Sequence, residues 1–179
     1  RSVNTVIERE RWQQRWGRAK EETSSSESGL HMGHYKAGAQ CDFISHLHAL
    51  FTSVALRRGT SPTRWSRGLS VMLEKMFGCT LVKKLRSILL MEADFNFANK
   101  EIYGIRMMDN VRKYGFMAEE IFSEKGRMAD DGSLAKTLFY DVTRQARIPA
   151  ALASVDAAQC YDRIAHAIAS LVFQAFGIP

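Results

Sequence analysis

Apolar positions recur along this chain mostly at helical spacing. Trp12 and Trp16 stand four apart within the charged stretch 1–22, which predicts a helix with both indoles on one side. The serine-rich run from Thr23 to Gly29 breaks that pattern and reads as a linker at 23–29. From Asp42 to Leu56, the residues Phe43, Ile44, Leu47, Leu50, Phe51 and Val54 keep an i, i+3, i+4, i+7 order. A helix is expected there with these six facing inward, closed by Arg57-Arg58-Gly59. Ser61-Pro62 is a start signal, Ser61 capping and Pro62 in the first position, and Trp65 anchors the short helix that follows.

The period then changes. Leu69 to Lys75 and Leu85 to Leu90 are short apolar runs on either side of Gly78; they read as two strands of a small sheet, although runs this short fit helix equally well by periodicity. Phe95, Ala98, Ile102 and Ile105 mark one face of a helix between Glu92 and Met108. Residues 114–133 form a connection, and a helix from about Ser133 to Gln145 turns Leu134, Leu138 and Val142 inward before Pro149. Ala151 to Val155 is expected to be a fully buried strand, and Tyr161 to Ala175 a helix burying Ile164, Ile168, Leu171, Val172 and Ala175. The expected fold class is α+β, helices packed around a small antiparallel sheet. It divides into a helical region over 1–59, a middle region over 60–150 and a strand-tip-helix unit over 151–179.

Length and composition narrow the class. At 179 residues, 46% hydrophobic and 25% charged, the chain can bury one core but hardly two. With only 12 Gly and 3 Pro it is neither a disordered tail nor a collagen-like repeat. Cys41, Cys79 and Cys160 lack any C-x-x-C spacing, which argues against a disulfide framework and for a reducing compartment. No run reaches the roughly 18 apolar residues of a bilayer span, and the first residues lack the apolar segment of a signal peptide. An intracellular protein, nuclear or cytoplasmic, not secreted and without a membrane partner, is expected.

Charge adds a partner class. The net charge is +6, and residues 57–88 hold eight bases, Arg57, Arg58, Arg64, Arg67, Lys75, Lys83, Lys84 and Arg86, against the single acid Glu74. Interleaved with Trp65, Met72, Leu73 and Phe77, such a stretch either presents cations to a phosphate-rich partner or forms an ordinary solvated face. His31, His34, Cys41, His46 and His48 match no familiar zinc spacing.

The sharpest chemical feature lies in Ser154-Val155-Asp156-Ala157-Ala158-Gln159-Cys160-Tyr161-Asp162-Arg163-Ile164. A carboxylate at the tip of a buried strand is placed to clamp a divalent cation against a polyphosphate, and the small residues after it let a substrate approach the backbone. The same pattern also fits Asp156 and Asp162 as caps of the helix that follows.

Asp156 to Ile164 resembles the first palm motif of reverse transcriptases of retroelement type, a strand-end Asp followed by four small or polar residues and then an aromatic and Asp. Val71 to Lys75 and Leu85 to Leu90 resemble the two fingers strands, and Glu92 to Met108 the long helix after them. Gly126-Arg127 with Asp130-Asp131 is similar to the connection before the next helix, and Ser28 to Tyr35 is a weaker likeness to the segment leading into the fingers. The resemblance covers roughly residues 60–179. It departs from the family in having Arg86-Ser87-Ile88 for Arg-Pro-Ile and in having no aromatic-x-Asp-Asp, so two of three catalytic carboxylates are missing from this chain.

The resemblance implies a partial fingers and palm polymerase fold and RNA-directed DNA synthesis, catalytically incomplete in this chain. It makes Asp156 catalytic and a ligand to two magnesium ions, with the Ala157 carbonyl completing one site. Tyr161 would exclude a 2′-hydroxyl, and Lys75 and Arg86 would grip the triphosphate. The implied partners are an RNA template, a DNA primer, deoxynucleoside triphosphates and the remainder of a polymerase chain. The alternatives are a non-catalytic RNA- or DNA-binding module and a degenerate retroelement remnant.

Overall fold

The computed structural model describes residues 2–21, 26–118, 121, 126–155 and 163–179. Its described elements are helices α1 (Arg9–Gly17), α2 (Met32–Gly38) and α3 (Asp42–Arg58), strands β1 (Leu69–Glu74) and β2 (Leu85–Leu90), and helices α4 (Ala93–Asn99), α5 (Met108–Lys113), α6 (Ala129–Gln145) and α7 (His166–Ala175). The class is α+β: helices with one two-stranded antiparallel sheet.

Trp12 and Trp16, one helical turn apart, organise the core from α1. Trp16 stacks on Tyr35 at 4.5 Å and on Phe97 at 5.4 Å between ring centres, while Trp12 stacks on His48 at 5.5 Å. Offset rings at such distances contribute beyond their buried area. Ile7, Ala49, Ala93 and Ile102 complete this cluster. The segment before α1 is tied down too, the Ile7 N–H donating to Ser53 Oγ at 2.8 Å and the Arg106 guanidinium to the Val6 carbonyl at 2.6 Å.

α3 runs from Asp42 to Arg58 and stops at Gly59, whose left-handed φ of 62° suits a residue without Cβ. Its orientation is opposite to expectation. Ser45, Ala49, Thr52, Ser53 and Ala55 are buried, whereas Phe43 is 74% exposed and Ile44, Leu47, Leu50, Phe51 and Val54 also face outward. The 3-10 turn at Thr63–Ser66 has Pro62, not Ser61, at its N-cap position, without a side-chain hydrogen bond, and Trp65 is buried in it.

α4, a π-helical segment at Lys100–Met107 and α5 form one uninterrupted rod, since the junction residues all keep right-handed helical backbone. Buried positions step through Ala93, Asp94, Phe97, Ala98, Glu101 and Ile102, then jump by five to Met107 before Val111. A π turn holds one extra residue. That shift carries Ile105 off the buried stripe, to a half-buried position.

Three further expectations are corrected. α6 begins at Ala129, because the Asp131 carboxylate accepts the Met128 N–H at 2.7 Å and so fixes an earlier first turn than Ser133. No residue of α6 is buried, and Leu134, Leu138 and Val142 are exposed. Ala151 to Val155 forms no strand and is exposed, Val155 by 91%. A strand needs a neighbour's N–H and C=O groups, and β1 and β2 pair only with each other. α7 starts at His166, with Ile164, Ile168, Leu171 and Val172 exposed. The chain after α7 packs instead, Ile178 and Phe176 joining the cluster of Val3, Met107 and Val111.

Candidate functional site

The β1–β2 ribbon carries the two expected triphosphate contacts. Its register pairs Leu73 with Arg86 and Glu74 with Leu85, and beyond the ladder the Lys75 N–H reaches the Lys84 carbonyl at 3.4 Å. Side chains alternate between faces along a strand. The register therefore sets Lys75 beside Arg86 on the face that also carries Val71, Leu73 and Ile88, and Glu74 falls on the other. There the Glu74 carboxylate accepts the Gly78 N–H at 2.9 Å, closing the loop where Gly78 takes φ 77°. Glu74 is thus engaged locally. Lys75 and Arg86 are exposed, and their side chains have no acidic partner among the described residues.

The loop between the strands adds apolar surface to this charge. Phe77 at its tip is fully exposed, and Met76, Leu81 and Val82 are exposed around it. Gly68 fits the base of the ribbon closely, for a Cβ there would sit 2.8 Å from Leu89 Cδ1 and 2.9 Å from Met91 Sδ. Cations next to exposed aromatic and aliphatic groups can hold a phosphate backbone while the apolar tip meets sugars or bases.

One of the eight bases is withdrawn from this surface. Arg64 forms a paired contact with both carboxylate oxygens of Asp94, and its Nη1 lies 3.3 Å from Glu92 and 3.4 Å from the Tyr35 hydroxyl. Glu92 and Asp94 are each 2% exposed. Burial works to raise the Glu92 carboxyl, but hydrogen bonds from Ser26 and Ser28 and the charge of Arg64 hold it below its ordinary value. Burial, with Asp94 nearby, pushes the Tyr35 hydroxyl up to about 12. Arg64 is a structural cation, not a solvated one.

A second buried carboxylate lies on the rod. Glu101, 1% exposed, receives Arg11 at 2.9 Å and Arg106 at 3.1 Å, with Arg15 at 3.9 Å. Neither network was legible beforehand. The only sequence signal was acids at positions that also fit a buried helical stripe.

Asp156, Ala157 and Tyr161 lie outside the described residues, as does Cys160, so no geometry joins them to Lys75 and Arg86. Among the described residues no three His, Cys, Asp or Glu side chains converge to hold a metal ion. His31 and His34 serve α2 instead, the His31 N–H donating to His34 Nδ1 at 3.0 Å, and His48 belongs to the aromatic core. Asp130 and Asp131 sit in the first turn of α6. No described helix is long and apolar enough to cross a membrane. Comparisons with protein-family models, with characterised proteins and with solved structures found no match to this chain.

Proposed function

We propose that this chain supplies the fingers and the beginning of the palm of an RNA-directed DNA polymerase. The observation that supports the reading is the ribbon, whose register brings unpaired Lys75 and Arg86 to one face and which leads directly into a long helix. A planar guanidinium and a point-charge ammonium on one rigid ribbon suit a triphosphate, the first bidentate and the second adaptable. Of the described residues, none completes a magnesium site, so this chain's share is the Asp156 carboxylate and the Ala157 carbonyl. Bound magnesium supplies Lewis-acid activation of a primer 3′-hydroxyl and charge neutralisation at the leaving pyrophosphate. Tyr161 would stand beside the sugar and exclude a 2′-hydroxyl.

A second reading, a nucleic-acid-binding module without catalysis, draws on the exposed Phe77 tip beside the same cations. One experiment separates the two from each other and from neither. An RNA–DNA primer–template is titrated onto the 179-residue chain across a salt series, with and without a complementary deoxynucleoside triphosphate. Binding should weaken with salt, and Lys75→Ala with Arg86→Ala should flatten the slope of log affinity against log salt by about 1.4 on a single-stranded template, about 0.7 per lost phosphate contact. Tighter binding with the complementary nucleotide supports the polymerase, and indifference to it supports the module. A slope that the double variant leaves unchanged overturns the module, and a nucleotide-dependent tightening that the double variant leaves unchanged overturns the triphosphate contacts of the polymerase reading. Primer extension by this chain alone is not expected, and extension abolished by Asp156→Ala would refute the incomplete site.

A further inference from the structure

On another part of the molecule a cleft of about 380 Å³ opens where the end of α1 meets α2 and the α4 rod. Its floor is apolar: Trp16, Phe97 and Ala93 are buried core residues, and Met32 is half-buried beside them. Its rim is cationic, with Arg15, Arg18 and Lys20 from the end of α1 and Lys100 from the rod. No acidic residue among those described lines it.

Three of the four cations are not consumed elsewhere. Arg18, Lys20 and Lys100 have no ion-pair partner among the described residues. Arg15 is partly committed: it lies 3.9 Å from Glu101 Oε2, while Arg11 and Arg106 both meet Oε1. The end of α1 favours positive charge through the helix dipole, which accounts for Arg15 and Arg18 but not for Lys100 arriving from a second element. Trp16, which lines the floor, is 3% exposed, and its Nε1 has no hydrogen-bond partner among the described residues. A buried donor left unpaired is rare in a folded protein.

An uncharged apolar ligand would leave the rim unmatched, and inorganic phosphate would leave the floor wet. One carboxylate balances one base, whereas a phosphate monoester carries about −1.5 to −2 at pH 7 with three acceptor oxygens. The volume lies within the roughly 300–1,000 Å³ of small-molecule sites. We propose that this cleft binds a phosphoryl group carried on a body of nucleoside size, either as a free nucleotide or as one unit of a single strand. The inference is independent of the ribbon, because the two sites share no residue.

The test uses the whole chain and calorimetric titration with thymidine 5′-monophosphate, thymidine and inorganic phosphate. The monophosphate should bind at least tenfold more tightly than either part, and Arg18→Ala with Lys20→Ala, or Lys100→Ala alone, should weaken it at least tenfold. These side chains lie on the rim, and circular dichroism with melting checks that each variant stays folded. The titration is repeated in the Lys75→Ala, Arg86→Ala background, which removes the ribbon's phosphate contacts: monophosphate binding that persists there and still falls with Lys100→Ala belongs to the cleft, whereas binding lost there belongs to the ribbon and overturns the proposal. In that ribbon double variant, an oligothymidylate that binds more tightly than the monophosphate and loses affinity on Lys100→Ala identifies a strand as the source. Equal or weaker binding of the oligomer identifies the free nucleotide. Absence of monophosphate and oligomer binding, thymidine binding as tightly as its phosphate, or indifference to the rim variants overturns the proposal.

Discussion

Replacing Arg64 by Leu tests how the buried charge on this fold is held. Among the described residues Arg64 is the cation that meets both Asp94 and Glu92, each 2% exposed, and it also donates to the Tyr35 hydroxyl at 3.4 Å. Removing one partner of a buried ion pair costs about 3–5 kcal/mol, because the remaining charge stays desolvated. In a chain of this size that corresponds to roughly 6–20 °C of melting temperature, at about 2–4 °C per kcal/mol. The loss carries a pH signature. Without the guanidinium, the Glu92 carboxyl loses one of the groups that hold it below its ordinary value, so the stability it contributes above its unfolded value, which is lost as pH falls, is reduced. The Arg64→Leu deficit should therefore be largest near neutrality and shrink as pH falls towards 5. Arg64→Lys should lie between, keeping the charge but losing the two-pronged contact with Asp94. Urea denaturation at pH 7 and pH 5 measures both effects. A deficit below about 1 kcal/mol at pH 7, or one that does not shrink in acid, would refute the reasoning.

Burial lowers the His48 pKa where its ring stacks on Trp12, so the folded state binds a proton less readily than the unfolded chain. Stability should fall as pH drops below about 6.5, the ordinary histidine value, and His48→Phe should flatten that part of a stability-against-pH curve; an unchanged curve would show that His48 does not carry it. Ile102, 1% exposed at the meeting of α1 and the rod, should cost about 2–5 kcal/mol when cut to Ala, and equilibrium unfolding showing less than 1 kcal/mol would place it outside the core. For Tyr35, pushed up to about 12 against an ordinary 10, ultraviolet titration at pH 11 should find less phenolate lost on Tyr35→Phe in the folded chain than after denaturation; an equal loss in both states would refute the shift.

Elements whose signals are local were legible in the sequence. The α1 helix with Trp12 and Trp16 buried, the stop at Gly59, the Trp65 anchor and both strands of the ribbon need only a turn residue or a short periodic run. The register of the ribbon, and with it the placing of Lys75 and Arg86 on one face, came only with the structure. What failed was whatever depends on distant partners. Ala151 to Val155 has the composition of a buried strand, but a strand exists only where another edge takes up its hydrogen bonds, and among the described residues no edge pairs with it. Position 105 failed for a different reason. A π turn shifts the phase of a stripe by one residue, and no residue type in Lys100–Met107 announces it. The cleft by Trp16 was equally hidden, since its cations come from positions 15 to 20 and from position 100.

The inverted α3 shows why a periodic stripe does not say which side of a helix will be buried. Six large apolar residues on one face predicted an inward orientation, yet the packed face is Ser45, Ala49, Thr52, Ser53 and Ala55. Small side chains let α1 lie close, and Trp12 and Trp16 on α1 are large enough to fill the space with indole rather than with leucine. Burying three hydroxyls would be costly if they were unpaired. They are not: Thr52 Oγ1 donates to the His48 carbonyl at 2.8 Å, Ser53 Oγ to the Ala49 carbonyl at 2.7 Å, and Ser45 Oγ to the Gly38 carbonyl at 3.3 Å. Ser53 also accepts the Ile7 N–H, so a residue that reads as polar surface fastens the N-terminal segment to the core. Hydropathy assigns a serine to solvent, whereas a serine that returns its proton to its own helix behaves as a small core residue. Glu92, Asp94 and Glu101 are likewise paired where they are buried, by Arg64 and Arg11 from other elements and by Arg106 from Glu101's own segment. On this chain the buried polar residues, more than the apolar ones, determine which helix faces meet.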